Sequence, residues 1–242
     1  MTLDFAGRKV LVTGASRGLG EACARAFAQA GAEVIAVARS EESLVRLAAD
    51  EPAIEPWSYD VLEPGFISKL RALKDLDVLV NNAGFNDPQP IGAVPRELLQ
   101  QMLAVNVEAV FLASQAVVAG MVQRGRGAIV NMSSQMGHVG SPNRTVYCMT
   151  KHAVEGLTKA LAVEVAAQGV RVNAVAPTFV ETDLTRPMLE EPAFRAFVDR
   201  SLPQGRLAAV DDVVEAVLFL ASDRAASITG TSLRVDGGWT AQ

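Results

Sequence analysis

Two side chains that can move a proton lie one helical turn apart in the second half of the chain. Tyr147 and Lys151 are four residues apart in a segment of helical periodicity, so they share one face. A free phenol has a pKa of about 10, and a neighbouring ammonium lowers that pKa by stabilising the phenolate. Ser134 ends an apolar run that predicts a strand, and its hydroxyl is suited to hydrogen-bond a carbonyl oxygen. These residues indicate acid–base chemistry on a carbonyl or an alcohol.

A glycine-rich loop, TGASRGLG at residues 13–20, joins the first predicted strand to the first predicted helix. Glycines permit a tight turn and let the backbone approach a pyrophosphate, and the helix N-terminus offers N–H groups to its oxygens. The spacing differs from the usual G-x-G-x-x-G of dinucleotide sites. We still expect a dinucleotide here, because the loop occupies the first strand–helix turn of a βαβ unit.

The same loop has a second interpretation. Residues 14–18 satisfy G-x-S-x-G, the nucleophile elbow of serine hydrolases, with Ser16 as the nucleophile. That mechanism needs an acid and a histidine downstream, and the sequence offers only His138 and His152. His152 follows Lys151 directly within a predicted helix. We therefore favour the dinucleotide over the hydrolase.

The end of the second predicted strand distinguishes NADP from NAD. Enzymes that use NAD place Asp or Glu about 20 residues past the glycines, where it holds the ribose 2′-hydroxyl. Here Ala38 is followed by Arg39, which is suited to pair bidentately with a 2′-phosphate. Arg17 can reach the same phosphate, whereas Glu41 and Glu42 partly offset the positive charge. The sequence predicts NADP(H), with NAD(H) as the alternative.

Taken together, these motifs resemble the short-chain dehydrogenase/reductase family over essentially the whole chain. The family's motifs occur in order as TGASRGLG at 13–20, Asp60-Val61, NNAG at 81–84, Asn106, Ser134 and YCMTK at 147–151. The resemblance implies that Tyr147 donates or accepts the proton and that Ser134 orients and polarises the substrate oxygen. It also implies that Lys151 holds the nicotinamide ribose and lowers the pKa of Tyr147. Asn106 would support a water relay to Lys151.

The resemblance implies a larger set of residues around the cofactor. Asp60 and Val61 would contact the adenine, whereas Asn81, Ala83 and Gly84 would flank the cofactor. The complete implied set is Gly14, Ser16, Arg17, Gly18, Leu19, Gly20, Arg39, Asp60, Val61, Asn81, Ala83, Gly84, Tyr147, Lys151, Pro177, Val180 and Thr182.

One departure from the family pattern follows the sixth predicted strand. The family usually has Pro-Gly there, and this chain has Pro177-Thr178. Threonine lacks the freedom of glycine at positive φ, so we expect this loop to lie slightly differently over the nicotinamide. Hydride transfer should survive the change.

Several features are similar to the carbonyl and xylulose reductase branch of the family, which reduces ketoses and α-dicarbonyls with NADPH. The implied substrate-binding residues are Ser134, Gln135, Asn143 and Tyr147. His138 and Arg144 are equally well explained as further polar contacts or as solvated loop residues. A sugar or sugar-acid dehydrogenase, a 3-oxoacyl-thioester reductase and a cofactor-binding regulator without turnover remain alternatives.

The elements that must position these residues alternate regularly along the chain. Seven apolar, β-branched runs predict strands at residues 9–13, 33–38, 53–58, 77–81, 128–133, 171–175 and 232–235. Helical periodicity predicts helices at residues 19–30, 41–49, 66–73, 96–123, 146–168 and 211–222. This alternation predicts a single α/β domain over residues 1–242, with a doubly wound, Rossmann-like, seven-stranded parallel sheet and helices on both faces.

The stretch after the sixth predicted strand interrupts this rhythm. Residues 177–204 include four prolines and have mixed polarity, and ligands of open α/β sheets bind at this end of the strands. We expect a lid at about residues 178–204, with an ordinary surface insertion as the alternative. Its apolar wall would consist of Phe179, Leu184, Pro187 and Met188.

Composition excludes several classes of protein. Among 242 residues, 22 Lys and Arg stand against 27 Asp and Glu, so no basic stripe is available for nucleic acid. Cys23 and Cys148 match no zinc spacing and cannot form a disulfide framework, so we expect no metal. No apolar run approaches the roughly 20 residues of a membrane span, and the start lacks the pattern of a signal peptide. We expect a cytoplasmic protein.

The resemblance also implies an assembly. Weakly charged helices at residues 96–123 and 146–168 offer apolar surface for subunit packing. Similar family members are commonly homotetramers, and VDGGW at residues 235–239 looks like their interface segment. A tail packed on its own subunit is the alternative.

Overall fold

Seven parallel strands form one sheet in the computed structural model, which describes residues 3–182 and 185–242. The strands are β1 (Lys9–Thr13), β2 (Glu33–Ala38), β3 (Ile54–Ser58), β4 (Val78–Asn81), β5 (Gly127–Met132), β6 (Val170–Pro177) and β7 (Ser232–Val235). Their order across the sheet is β3-β2-β1-β4-β5-β6-β7, and every neighbouring pair is parallel. The order reverses between β1 and β4, and the predicted doubly wound sheet is confirmed.

Helices cover both faces of this sheet. They are α1 (Gly18–Gln29), α2 (Glu41–Asp50), α3 (Pro64–Ala72), α4 (Arg96–Leu103), α5 (Ala109–Arg124), α6 (Thr145–Val165), α7 (Arg186–Leu189), α8 (Pro192–Arg200) and α9 (Val210–Ala221). In β1, Val10 and Val12 pack with α1, α2 and α9, whereas Leu11 points to the opposite face and packs with α3, α5 and α6. The five inner strands are buried on both faces, so most of their residues are apolar at successive positions, whereas the outer strands β3 and β7 are partly exposed.

The segment predicted as one helix over residues 96–123 is interrupted. The π-helical turn Ala104–Glu108 separates α4 from α5, and it contains the buried Asn106. π-turns are rare and frequently occur at functional sites. The combined helix Arg96–Arg124 has 29 residues and a window of mean hydropathy 1.7, which is long and apolar enough for a membrane span. It packs on the sheet with 44% of that window buried, and core helices meet the same criterion.

The region predicted as a lid contains α7 and α8. Phe179, which follows β6, has its ring 5.3 Å from the ring of Phe194 on α8 and 5.8 Å from that of Trp239. This region packs on the segment between β5 and α6 in a third, smaller apolar cluster formed by Met136, Cys148, Phe179, Leu189, Val198 and Leu202. Leu184 lies outside the described residues, as does the side chain of Pro187.

Candidate active site

Ser134, Tyr147 and Lys151 meet at the carboxyl end of β5. Ser134 lies two residues beyond this strand, and a hydrogen bond joins its side chain to that of Tyr147. On the first turns of α6, the Nζ atom of Lys151 lies 5.6 Å from the centroid of the Tyr147 ring. The structure therefore brings together three side chains that the sequence predicted as a group.

The backbone around Ser134 holds its side chain in place. Ser134 is extended, and its Oγ accepts a hydrogen bond of 3.1 Å from the amide of Met136. The short 3₁₀ turn Gln135–Gly137 follows. The side chain of Gln135 is only 1% exposed, and its Oε1 atom has no hydrogen-bond partner among the described residues. A buried amide oxygen without a partner is costly, so a donor on a bound molecule would stabilise it.

The environment of Tyr147 favours the protonated phenol. Burial raises the pKa of Tyr147 to about 12, whereas the hydrogen bond with Ser134 and the positive charge of Arg144 act to lower it. The Lys151 ammonium donates to the carbonyl of Met132 at 2.7 Å, and the lowering of the Tyr147 pKa by its charge stays a prediction. A protonated phenol is the form that donates a proton to a developing alkoxide.

Lys151 is a buried cation. It is 5% exposed, and burial lowers its pKa to about 8, although Glu155 one turn further along α6 acts to raise it. A lysine with a lowered pKa destabilises the folded chain below the folded pKa, because folding then buries a charge. This loss of folding stability is still present at neutral pH. It disappears as the pH rises from the pKa of Lys151 in the folded chain to its pKa in the unfolded chain.

Replacing Lys151 by methionine is therefore expected to increase the free energy of unfolding of the cofactor-free protein at pH 7. The difference in pKa corresponds to about 3 kcal/mol, of which the lost bond to Met132 cancels about 1 kcal/mol. The gain should shrink between pH 8 and pH 10, because the unfolded wild-type chain still binds the proton that its folded form loses. Urea titrations at several pH values measure this. Lys159→Met, at an exposed position on α6, is the control, and an equal gain there would contradict the prediction.

Asn106 links the π-turn to the neighbouring loop and to α6. Its Oδ1 atom accepts from the amide of Phe85 at 3.0 Å, and its Nδ2 atom donates to the carbonyl of Phe85 at 2.8 Å. Nδ2 also lies 3.3 Å from Oγ1 of Thr150, the residue before Lys151. A Cβ atom added to Gly84 would lie 3.1 Å from Asn106 Oδ1 and 3.8 Å from Lys151 Nζ. Asn106, Gly84 and Lys151 are therefore neighbours.

The glycine loop has the shape that a dinucleotide pyrophosphate requires. Gly14 and Gly18 have positive φ values of 68° and 57°, which few side chains tolerate. A Cβ atom on Gly20 would lie 2.2 Å from the carbonyl oxygen of Gly14, so only glycine fits there. Thr182 faces the loop, with its Cγ2 atom 3.8 Å from the position of a Cβ on Gly18. The loop leads into α1, whose first N–H groups are available to an anion.

Beside this loop lie three charged residues that are exposed or half-exposed, Arg17, Arg39 and Asp60. Arg39 directly follows β2 and is 80% exposed, with its Nη1 atom 4.0 Å from Oδ2 of Asp60. Arg17 is also exposed, at the start of α1. Val61 is buried under this region. Asp60 is close enough to Arg39 to orient its guanidinium group.

Some residues of the implied cofactor set contribute to the core. The side chain of Asn81 donates to Asn131 Oδ1 at 2.9 Å and to Ser114 Oγ at 3.1 Å, so it is directed into the interior. Val180 is buried and forms a β-bridge with Ala208. These two side chains are therefore buried in the fold and are not free to contact a cofactor.

The departure at Thr178 does not strain the backbone. Asn143 is the one non-glycine residue with positive φ in the described ranges 3–182 and 185–242. Thr178 therefore adopts an ordinary backbone conformation, so no strain arises at the position where the family has glycine. Asn143 is exposed, and its carbonyl accepts from the amide of Gln89 at 2.8 Å.

Neither histidine supports the hydrolase interpretation. The Nε2 atom of His138 lies 2.9 Å from Ser232 Oγ and 3.3 Å from Glu155 Oε1, at β7. The Nδ1 atom of His152 contacts the carbonyl of Cys148 at 2.8 Å. Both rings contact other partners and neither is hydrogen-bonded to Ser16, so the Ser–His pair of a hydrolase is not formed.

Two residues near the site gave weak signals or none in the sequence. Asn82 ties the glycine loop to β4, since its Nδ2 atom donates to the carbonyls of Thr13 at 3.0 Å and Gly14 at 3.3 Å. Arg144 is buried at 8% exposure, although its sequence context allowed a solvated loop residue. The repeated asparagine of NNAG was the available signal for Asn82. Arg144 is buried by residues distant in sequence, which no local pattern reveals.

Comparison with known proteins places this site in a large family. A family model described as enoyl-(acyl carrier protein) reductase matches residues 14–240. L-xylulose reductase from Mus musculus is 42% identical over 244 residues, and carbonyl reductase (NADPH) 2 from Sus scrofa is 38% identical over 243 residues, with both chains of each pair fully covered. Among solved structures, the chain is similar to a gluconate 5-dehydrogenase from Burkholderia cenocepacia J2315 in complex with NADP and tartrate. The two structures superpose with a TM-score of 0.91 and share 35% sequence identity. The match covers 99% of this chain and 97% of that chain. The chain belongs to the short-chain dehydrogenase/reductase family and is an oxidoreductase of small carbonyl or alcohol substrates.

Proposed function

We propose that this chain reduces a small hydroxylated ketone or dicarbonyl with NADPH, in a reversible reaction. The observation that carries the proposal is the hydrogen-bonded pair of Ser134 and Tyr147, with Lys151 beside it, at the strand edge that the glycine loop also occupies. A protein that only binds the cofactor needs the loop but has no use for an acid–base tyrosine.

In this mechanism Ser134 and Tyr147 act on one oxygen of the substrate. Bound NADPH supplies the hydride. The Ser134 hydroxyl hydrogen-bonds the carbonyl oxygen and orients it, and Tyr147 donates its phenolic proton to that oxygen as negative charge develops. Because burial raises the pKa of Tyr147, the phenol holds the proton until the oxygen becomes basic enough to take it. In the oxidation, the same group accepts the proton of the alcohol.

Lys151 and Asn106 support the pair without contacting the reacting carbon. With a pKa lowered to about 8, Lys151 remains largely protonated at neutral pH, so its charge favours the transient phenolate. Asn106 is held by Phe85 and Thr150 close to Lys151, where it would support a proton relay. Lys151 also has donors available for the ribose of the nicotinamide.

The preference for NADP rests on charge at the end of β2. Arg39 is exposed there, Arg17 lies on the adjacent loop, and the position directly after β2 lacks the carboxylate that would repel a 2′-phosphate. One relative carries NADPH in its name, and the gluconate 5-dehydrogenase structure contains NADP. The relatives differ in substrate, because one is named for the neutral ketose L-xylulose and another for the sugar acid gluconate.

The proposed substrate pocket is bounded by polar residues and by the region after β6. Gln135 offers its unpartnered amide oxygen, and Asn143 lies exposed at the entrance. Residues 178–204 would act as a lid, whose Phe179 and Phe194 provide an apolar wall. One domain, residues 1–242, would carry both the cofactor and the substrate.

We further propose that the protein assembles as a homotetramer. Large apolar side chains remain exposed on α5 and α6, with Phe111 at 47%, Met149 at 46% and Val163 at 83%. Burying such residues between subunits is favourable by about 25 cal/mol for each Å² of apolar surface. Light scattering combined with gel filtration tests this proposal, and a monomeric mass at working concentration would contradict it.

A spectrophotometric screen tests the proposed reaction. Purified protein is mixed separately with NADPH and NADH and offered ketoses, α-diketones and 3-oxoacyl thioesters, and the loss of reduced-cofactor absorbance is followed. We expect the highest kcat/KM with NADPH and a hydroxylated ketone. Turnover of 3-oxoacyl thioesters alone would contradict the substrate class, and turnover with NADH alone would contradict the cofactor.

A further inference from the structure

Arg144 is a buried cation without a matching anion. The residue is 8% exposed, and its Nε atom has no hydrogen-bond partner among the described residues. Its two other nitrogens make only long contacts, from Nη1 to the carbonyl of Pro142 at 3.5 Å and from Nη2 to Sδ of Met188 at 3.7 Å. Over residues 3–182 and 185–242, no carboxylate lies within ion-pair distance of it. A guanidinium taken out of water in this way needs an anion to offset its lost hydration.

The position of Arg144 connects it to the reacting group. It precedes α6 directly, three residues before Tyr147, and its charge acts to lower the pKa of that phenol against the larger effect of burial. On its other side the guanidinium lies over two rings of the region after β6, 5.8 Å from the ring of Phe179 and 5.1 Å from that of Phe194. It therefore lies in the wall of the proposed substrate pocket, between the proton donor and the lid.

We propose that Arg144 binds a carboxylate of the substrate, so that the preferred substrate is a ketose acid or, in the reverse reaction, the corresponding hydroxy acid. The planar guanidinium offers parallel N–H donors that match the two oxygens of a carboxylate. With the ketone held by Ser134 and Tyr147 and the carboxylate held by Arg144, a short chain of hydroxylated carbons would be fixed at two points. This inference rests on the proposed reductase function and adds the charge of the substrate to it.

The two aromatic rings beside Arg144 allow a purely structural role, and the experiment must distinguish that role from binding of a carboxylate. A guanidinium over aromatic rings gains cation–π energy, and on that account Arg144 would only hold the lid in place. Loss of the side chain would then affect every substrate to the same degree. Recognition of a carboxylate instead affects only substrates that carry one.

A matched pair of substrates separates the two roles. L-sorbose and 5-keto-D-gluconate share their ketone and the configuration of every stereocentre, and they differ in carrying a terminal hydroxymethyl or a carboxylate. We expect wild-type kcat/KM to be higher for 5-keto-D-gluconate. Arg144→Gln should lower that value at least about 10-fold, the loss typical of a hydrogen bond to a charged group, and should change the value for L-sorbose less than about 3-fold.

Two further variants calibrate this result. Arg144→Lys keeps the charge but loses the bidentate geometry, so its kcat/KM for 5-keto-D-gluconate should fall between those of the wild type and Arg144→Gln. Arg195→Gln removes a cation from α8 that pairs with Asp199 at 2.9 Å, and it should leave both substrates unchanged. Equal losses for both substrates in Arg144→Gln would overturn the inference and leave the lid role.

A binding measurement makes the inference independent of turnover. D-gluconate and D-glucitol form the same matched pair at the alcohol level, and calorimetry measures their binding to the protein loaded with whichever reduced cofactor it binds. We expect gluconate to bind more tightly than glucitol, with the difference abolished in Arg144→Gln. Equal affinities in the wild type would overturn the carboxylate site even if ketose reduction is observed. Absence of turnover with every carbonyl would overturn the reductase function and leave this binding result standing.

Discussion

Replacing Tyr147 by phenylalanine is expected to lower kcat for carbonyl reduction by a factor of about 10² to 10⁴, the usual contribution of a positioned acid–base group. The variant keeps the aromatic ring, which packs beside the third apolar cluster, and removes only the hydroxyl that hydrogen-bonds Ser134. The affinity for NADPH should stay within about twofold, because the glycine loop and the arginines beside it are untouched. Single-turnover measurements of NADPH oxidation, combined with fluorescence titration of the cofactor, separate the two effects.

The chain supplies a matched control for this variant. Its other tyrosine, Tyr59, packs against Trp57 and Phe66 near the edge of the sheet, with ring centroids 6.5 Å and 6.2 Å away. Tyr59→Phe should leave kcat unchanged. If both variants lose activity equally, the loss reflects stability and not chemistry. If Tyr147→Phe retains full turnover, another group donates the proton and the proposed mechanism is wrong.

The sheet was predictable from the sequence because its strands have sharp boundaries. β1, β2 and β7 begin and end at the predicted residues, and each is followed by glycine or by a charged residue. β6 extends further than predicted, to Pro177, because β7 continues to pair with it there. Pairing between strands distant in the chain is invisible to local periodicity, so predicted ends can differ by a few residues.

The interruption between α4 and α5 could not be read from the sequence. One extra residue in a turn shifts the phase of the following helix, but α5 is apolar at almost every position, so the shift leaves no signal in the pattern. The turn is stabilised by contacts that arise only in the fold, including the two bonds between Asn106 and the backbone of Phe85. The sequence signalled the position through one polar residue in an apolar helix, but not the geometry.

In the candidate site, too, the sequence predicted some residues and not others. Ser134, Tyr147 and Lys151 could be grouped beforehand, because the end of a strand and the first turns of a helix fix their relative positions. Arg144 could not be assigned, because its burial depends on Met188, Phe179 and Phe194, which come from the region after β6. If Arg144 binds the substrate as proposed, specificity would depend on packing between segments that are tens of residues apart in the sequence.

Replacing Arg39 by aspartate is expected to reverse the cofactor preference. The Arg39 side chain is 80% exposed, and its guanidinium lies 4.0 Å from Asp60, so its donors can rotate onto a 2′-phosphate. Each hydrogen bond between charged groups contributes about 1.5–3 kcal/mol, and an aspartate would in addition repel the phosphate. The ratio of kcat/KM for NADPH to that for NADH should therefore fall by at least about 100-fold, with most of the change in the KM for NADPH.

The change in cofactor preference must result from the position of the substituted charge and not from the change in net charge of the protein. Arg71 is exposed on the last turn of α3, at the edge of the sheet opposite to the end of β2, so Arg71→Asp makes the same change of charge away from the proposed phosphate site. That variant should leave the cofactor ratio nearly constant at moderate salt, because exposed charges farther apart than about 8–10 Å are screened. A cofactor ratio in Arg39→Asp that matches the wild type would assign the phosphate to Arg17 alone, and Arg17→Gln would then have to produce the loss.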